Sequence, residues 1–137
     1  MSRKLCCAVL VCVMVLLVSG CPFMGLAYEE DLAGGYAVWA TDAIEDAAIV
    51  YRDKDGPGAT VVVPAMVFAY GWNDHFILAK RHPTEDYTVV DMETTEWYVV
   101  QVDARAVHGP LGEDEFRKLR TELGVPPELS FTKTISR

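Results

Sequence analysis

Apolar positions fall along this chain in three regimes. Residues 5–18 are all apolar. Between residues 36 and 102, apolar residues come in short runs rich in Val, Tyr and Trp, separated by turn-forming residues. From residue 111 to 124 they recur at helical spacing. Short β-branched and aromatic runs bounded by Gly, Pro, Asn and Asp are the mark of strands. The pattern predicts strands at 36–41, 48–52, 60–70, 75–80, 87–92 and 97–102. Pro64 interrupts the third and has no N–H to donate, so it must stand at an edge or a bulge. In the fourth, Phe76 and Leu78 point one way, and His75, Ile77 and Ala79 the other. Turns are expected at 53–58, where Asp55-Gly56 favours positive φ, at Gly71-Trp72-Asn73-Asp74 as a hairpin loop, and at 83–86.

One helix is well signposted. Gly112 stands at the N-cap and Glu115 three residues on, and Leu111 with Phe116 has the spacing of a hydrophobic staple. Three acids, Glu113 to Glu115, occupy the first turn, where the helix dipole favours each by about 0.3–1 kcal/mol. Asp114 and Lys118 are spaced as an i,i+4 ion pair. Phe116, Leu119 and Leu123 form one apolar stripe, Gly124 suits the C′ position, and Pro126-Pro127 bars continuation. Residues 129–135 read as a closing strand. Strands in series with one late helix give an α+β fold: an antiparallel sheet of about five to six strands with a C-terminal helix packed on it.

The N-terminal regime is different in kind. Arg3 and Lys4 precede the apolar run, whose length fits the roughly 7–15 residues of a signal h-region rather than the about 20 of a membrane span. It ends in Val18-Ser19-Gly20-Cys21, which resembles the lipobox of bacterial lipoproteins. An uncleaved anchor would have to carry Pro22 within its helix, at the cost of a hydrogen bond and a clash. Residues 22–30 read as a tether and 31–137 as a single domain without an internal linker. The resemblance implies a signal peptide at 1–20 and a palmitoylated Cys21. It also implies a place in the cell envelope, on the periplasmic or extracellular face of a membrane.

Cleavage there changes the bulk properties. The 137-residue chain has 12 Lys and Arg against 20 Asp and Glu, and losing Arg3 and Lys4 raises the acidic excess from 8 to 10. Of Cys6, Cys7, Cys12 and Cys21 only the last survives, with lipid on its sulfur, so no disulfide is expected. About 117 residues can bury a core without one. The basic footprint of nucleic-acid binding is missing, anionic headgroups repel the domain, and a cationic protein partner would be steered towards it.

The search for chemistry is mostly negative. Ser130 and Ser136 stand outside any G-x-S-x-G context, and Gly34-Gly35 lacks the Lys-Ser/Thr of a phosphate loop. His75, His82 and His108 show no H-x-x-x-H spacing, leaving a site of His82, His108 and a loop acid to tertiary chance. Asp53-x-Asp55-Gly56 echoes part of a calcium loop without its later ligands. No catalytic residue, cofactor or metal is expected.

Three stretches are similar to a family of small bacterial lipoproteins known only as a domain of unknown function. They are residues 31–36 (Asp-Leu-Ala-Gly-Gly-Tyr), residues 75–83, and the run from Gly109-Pro110-Leu111 through Phe116 to Leu123-Gly124-Val125-Pro126 ahead of Phe131-Thr132-Lys133. The resemblance implies no catalytic residue, and it makes 87–96 a variable insertion. The reading is a membrane-anchored, non-catalytic structural or interaction module. One alternative is an inhibitor or immunity-type binder of a cationic envelope enzyme. Another is an envelope hydrolase using carboxylates or a metal. Trp72, with Asn73 and Asp74, is the candidate interaction element, since a tryptophan at a loop tip can anchor an interface. The competing reading folds its ring back over Tyr70 or Phe76.

Overall fold

The computed structural model describes residues 25–136. The expected signal segment and Cys21 lie outside them. Nine strands form two antiparallel sheets. In the first, β1 (Tyr28–Asp31), β2 (Tyr36–Ala40), β3 (Ala48–Arg52) and β4 (Ala59–Val63) lie side by side in chain order. In the second, β5 (Val67–Trp72), β6 (Phe76–Arg81), β7 (Glu96–Gln101), β8 (Ala106–Leu111) and β9 (Lys133–Thr134) run in the order β8-β7-β6-β5-β9. Among the described residues one α-helix, α1 (Glu113–Glu122), packs on the second sheet, and a 3-10 turn at Ile44–Asp46 links β2 to β3. The α+β class is therefore as the sequence predicts: a five-stranded antiparallel sheet carries the C-terminal helix, and four further strands make a sheet of their own.

The alternation of side chains along β6 and β7 sets the layers. Ile77, Ala79, Tyr98 and Val100 face the first sheet, where they meet Val38, Ala40, Ile49 and Val63. Leu78 and Val99 face the other way and meet Phe116, Val125 and Leu129, with Trp97, Leu119, Leu123 and Phe131 around them. Both strands are covered on both faces, which is why they read as nearly continuous apolar runs.

The helix follows its sequence signals. The Glu115 carboxylate accepts the Gly112 N–H at 3.0 Å, the first backbone bond runs from the Phe116 N–H to the Gly112 carbonyl, and Gly124 takes φ +71° beyond the last turn. Leu111 and Phe116 join the same cluster, as a staple requires. One detail is corrected. Lys118 lies 3.9 Å from Glu122 rather than pairing with Asp114, and Arg117 takes Glu113. Arg120 then donates to the carbonyls of Pro126 and Leu129, at 3.0 and 2.9 Å, and fastens the chain leaving the helix.

Several strand expectations are also corrected. The predicted strand at 60–70 is two strands in different sheets. Pro64 stands where the chain changes sheet, and the Val67 N–H then bonds the Ala47 carbonyl. Residues 28–30, expected in a tether, belong to β1, an acidic edge strand whose alternate half-burial carries little apolar signal. Residues 87–92 make only an isolated bridge, Thr84 to Val90, because the Asp86 and Asp91 side chains accept backbone N–H groups and turn the chain locally. Of 129–135 only Lys133–Thr134 is strand. β8 was missed because Gly109 and Pro110 argue against a strand, yet Pro110 is tolerated at the outer edge of its sheet.

Candidate functional site

Gly71 and Trp72 are not loop residues; they end β5, and Trp72 pairs with Ile77 of β6. The half-buried Trp72 ring stacks on Tyr70, with centroids 6.0 Å apart, and packs against the main core. The turn itself is held by Asn73, whose side-chain oxygen accepts the N–H groups of His75 and Phe76 at 2.9 and 2.8 Å. Asp74 is exposed beside it. The ring thus covers one end of the core, and Asn73 has a local backbone duty that explains its presence.

The three histidines are each engaged separately. His75 Nδ1 lies 2.7 Å from Asp103. His82 stacks on Phe68 at 4.3 Å and its Nδ1 donates to the Thr94 carbonyl. His108 Nε2 donates to Gln101. Among the described residues, no three His, Cys, Asp or Glu side chains group as a metal set.

One polar cluster escaped the sequence reading. Glu30 of β1 accepts hydrogen bonds from the hydroxyls of Tyr28 and Tyr70 and from Lys133 Nζ at 2.9 Å. Tyr70 is fully buried in β5 and Lys133 belongs to β9, so the cluster joins the outer strand of one sheet to the outer strand of the other. Burial pushes the Glu30 carboxyl up, but the donors Tyr70, Lys133 and Tyr28 outweigh it and hold the group below its ordinary value. The same contact holds Lys133 above the usual lysine range, while burial and then Glu30 push Tyr70 up. No local sequence signal announces this cluster, because its members lie about 40 and 100 residues apart along the chain.

The cluster makes a pH prediction. A carboxyl held low in the folded state adds stability above its unfolded pKa, and that stability is lost as pH falls through the folded one. In urea melts, the wild type is expected to lose stability from the ordinary carboxylate range downwards. Glu30→Gln is expected to be less stable at neutral pH and to show a shallower acid slope. Parallel slopes would refute a role for Glu30 in the acid response.

The outer face of the first sheet, turned away from the core, is the other unassigned feature. Trp39, Val50 and Val61 line a groove of about 420 Å³ on it, closed at one side by Tyr87 from the 83–95 loop and edged by Asp42 and Asp46. Val61, at 58 %, and Tyr87, at 66 %, are well exposed for their size. Val50 is buried yet belongs to neither core cluster, so it forms the groove floor. The Trp39 indole N–H is shielded from solvent and has no acceptor in the described residues. Arg52 lies over the Trp39 ring and pairs with Glu29 and Asp31.

Comparison with known proteins adds the family. No curated protein and no solved structure matches the chain. Residues 33–135, from the turn before β2 to just beyond β9, match one family across nearly all of the fold described above. The chain belongs to that family, described as "Protein of unknown function (DUF3997)".

Proposed function

We propose that this chain is a bacterial envelope lipoprotein whose exported domain is a non-catalytic interaction module. The observation that carries the reading is Val18-Ser19-Gly20-Cys21 at the end of a short apolar run preceded by Arg3 and Lys4. Cleavage before Cys21 and acylation of its sulfur would hold the domain at the periplasmic or extracellular face of a membrane. The few residues between Cys21 and β1 can span no more than about 25 Å even fully extended, so the first sheet stays close to that surface. The acidic excess opposes adsorption to anionic headgroups, so the lipid has to do the holding.

Two features support an interaction role over a reaction. The apolar groove on the first sheet has no partner among the described residues, and each histidine is taken up by a separate contact. The acids at the groove also favour the narrower reading of an inhibitor or immunity-type binder of a cationic envelope enzyme.

Metabolic labelling tests the anchor. Labelled palmitate is expected to enter the wild-type protein and to be lost in Cys21→Ser. Label retained in the variant, or missing from the wild type, would overturn it. Elemental analysis of the purified protein tests the non-catalytic half, which stoichiometric zinc or calcium would contradict in favour of a metal-dependent hydrolase.

A further inference from the structure

Two sheets have four edges, and three of them are guarded against strand addition. β1 carries Glu29, Glu30 and Asp31; β8 carries Pro110; β9 is two residues long. Charge, proline and brevity are the usual means of blunting an edge. β4 reads Ala-Thr-Val-Val-Val, with no charge and no proline, and it ends its sheet with only β3 beside it. A bulge at Val62, where Ile49 pairs with Val63 and Val50 with Val61, leaves Ala59 to Val61 as the regular part of that edge. Thr60 and Val61 are exposed there.

The groove adjoins this edge. Val61 stands beside Val50 on the outer face of the first sheet, and both line the groove with Trp39 and Tyr87. Its rim is acidic on balance. Asp42 and Asp46 edge the groove, and Asp53 and Asp55 lie in the turn leading to β4, beside Lys54 and Arg105; Arg52, over the Trp39 ring, is already paired with Glu29 and Asp31. The chain's net charge of −8 opposes a second copy on the same face.

We propose that β4 and the adjoining groove form a docking surface for an extended, basic segment of a protein partner. The segment adds as a fifth strand along Ala59 to Val61. Main-chain hydrogen bonds to β4 supply the register, as in other strand-addition complexes. Alternate side chains of an extended segment point to one face, so its apolar residues enter the groove between Val61 and Trp39. Its lysines or arginines meet Asp42 and Asp46 at one end and Asp53 and Asp55 at the other. The proposal rests on the interaction reading above but not on the lipid anchor.

The test uses the full chain in detergent and a dye-labelled short peptide of alternating lysine and valine, with two controls: an alternating glutamate and valine peptide, and the basic peptide N-methylated at alternate amides. Only the unmodified basic peptide is expected to bind, with an affinity that falls as salt rises and with new hydrogen-exchange protection at β4. Val61→Lys and the pair Asp42→Asn with Asp46→Asn are each expected to weaken binding by about tenfold or more, which corresponds to about 1.4 kcal/mol. Their side chains lie at the surface, so urea melts should stay close to wild type and separate lost docking from lost folding. Several results would overturn the proposal: equal binding of the acidic peptide, binding of the N-methylated peptide at full strength, protection outside β4, no effect of either variant, or a dimer at the concentrations used. Peptide failure with palmitate labelling intact removes this surface and leaves the anchor; lost labelling with peptide binding intact does the reverse.

Discussion

Phe116→Ala is expected to lower stability by about 3–5 kcal/mol, the cost of truncating a buried aromatic ring and leaving a cavity. Phe116 is 2 % exposed and is the one fully buried large side chain that the helix contributes. Its ring lies 4.8 Å from Trp97 and 5.9 Å from Phe131, centroid to centroid, above Leu78 and Val99. Removing it opens the whole layer between α1 and the second sheet. That layer also holds the segment after the helix through Val125 and Leu129. Such a loss is a large fraction of the roughly 5–15 kcal/mol that a domain of this size has to spare. Urea melts check it. A loss below about 1 kcal/mol would mean that the helix adds little to the fold.

Gly71→Ala is the second large effect expected, at about 3 kcal/mol, the upper end of what overpacking a close-packed site usually costs. The reason is a backbone crossing. A Cβ at position 71 would sit 1.9 Å from the Ser130 carbonyl oxygen and 3.2 Å from the Thr132 nitrogen. No side-chain rotation relieves that overlap, so the 130–132 segment must lift from β5. Phe131 is then drawn from its ring contacts with Trp97 and Phe116, and the pairing of β9 with β5 is loosened. Gly56→Ala serves as the control, since nothing lies within 4 Å of its added Cβ. It should stay within about 0.5 kcal/mol of wild type. Hydrogen exchange adds a local readout: Gly71→Ala should lose protection at 133–135 before the rest of the second sheet.

Neither the Gly71 crossing nor the outer-face groove could be read along the chain. In the sequence Gly71 precedes Trp72-Asn73-Asp74, and Gly beside Asn and Asp signals a turn. Its real duty, giving room to Ser130, involves a residue nearly sixty positions away. The Trp72 ring illustrates the same limit. Loop tip and core edge share one local sequence, and the stack on Tyr70 within β5 decides between them. Acidic Tyr28–Asp31 showed no strand pattern because this edge strand half-buries only alternate residues, and one of the two inward residues, Glu30, is polar.

What the sequence determined by itself was whatever depends on neighbours in the chain. The helix came out with its ends, because the Gly112 cap, the Glu115 return bond, the Phe116 stripe and the Gly124 exit are all interactions within a few residues. β2, β3, β6 and β7 came out because their alternation or continuous burial is written in successive side chains. The tertiary structure alone decided that Pro64 marks the passage from one sheet to another. It alone placed Glu30 between Tyr70 and Lys133, and it alone left Val61 and Trp39 lining an apolar groove beside an unguarded edge. Local hydrogen bonds and side-chain periodicity reach about four residues, whereas sheet order, layer contacts and the fate of an edge are set by packing between distant segments.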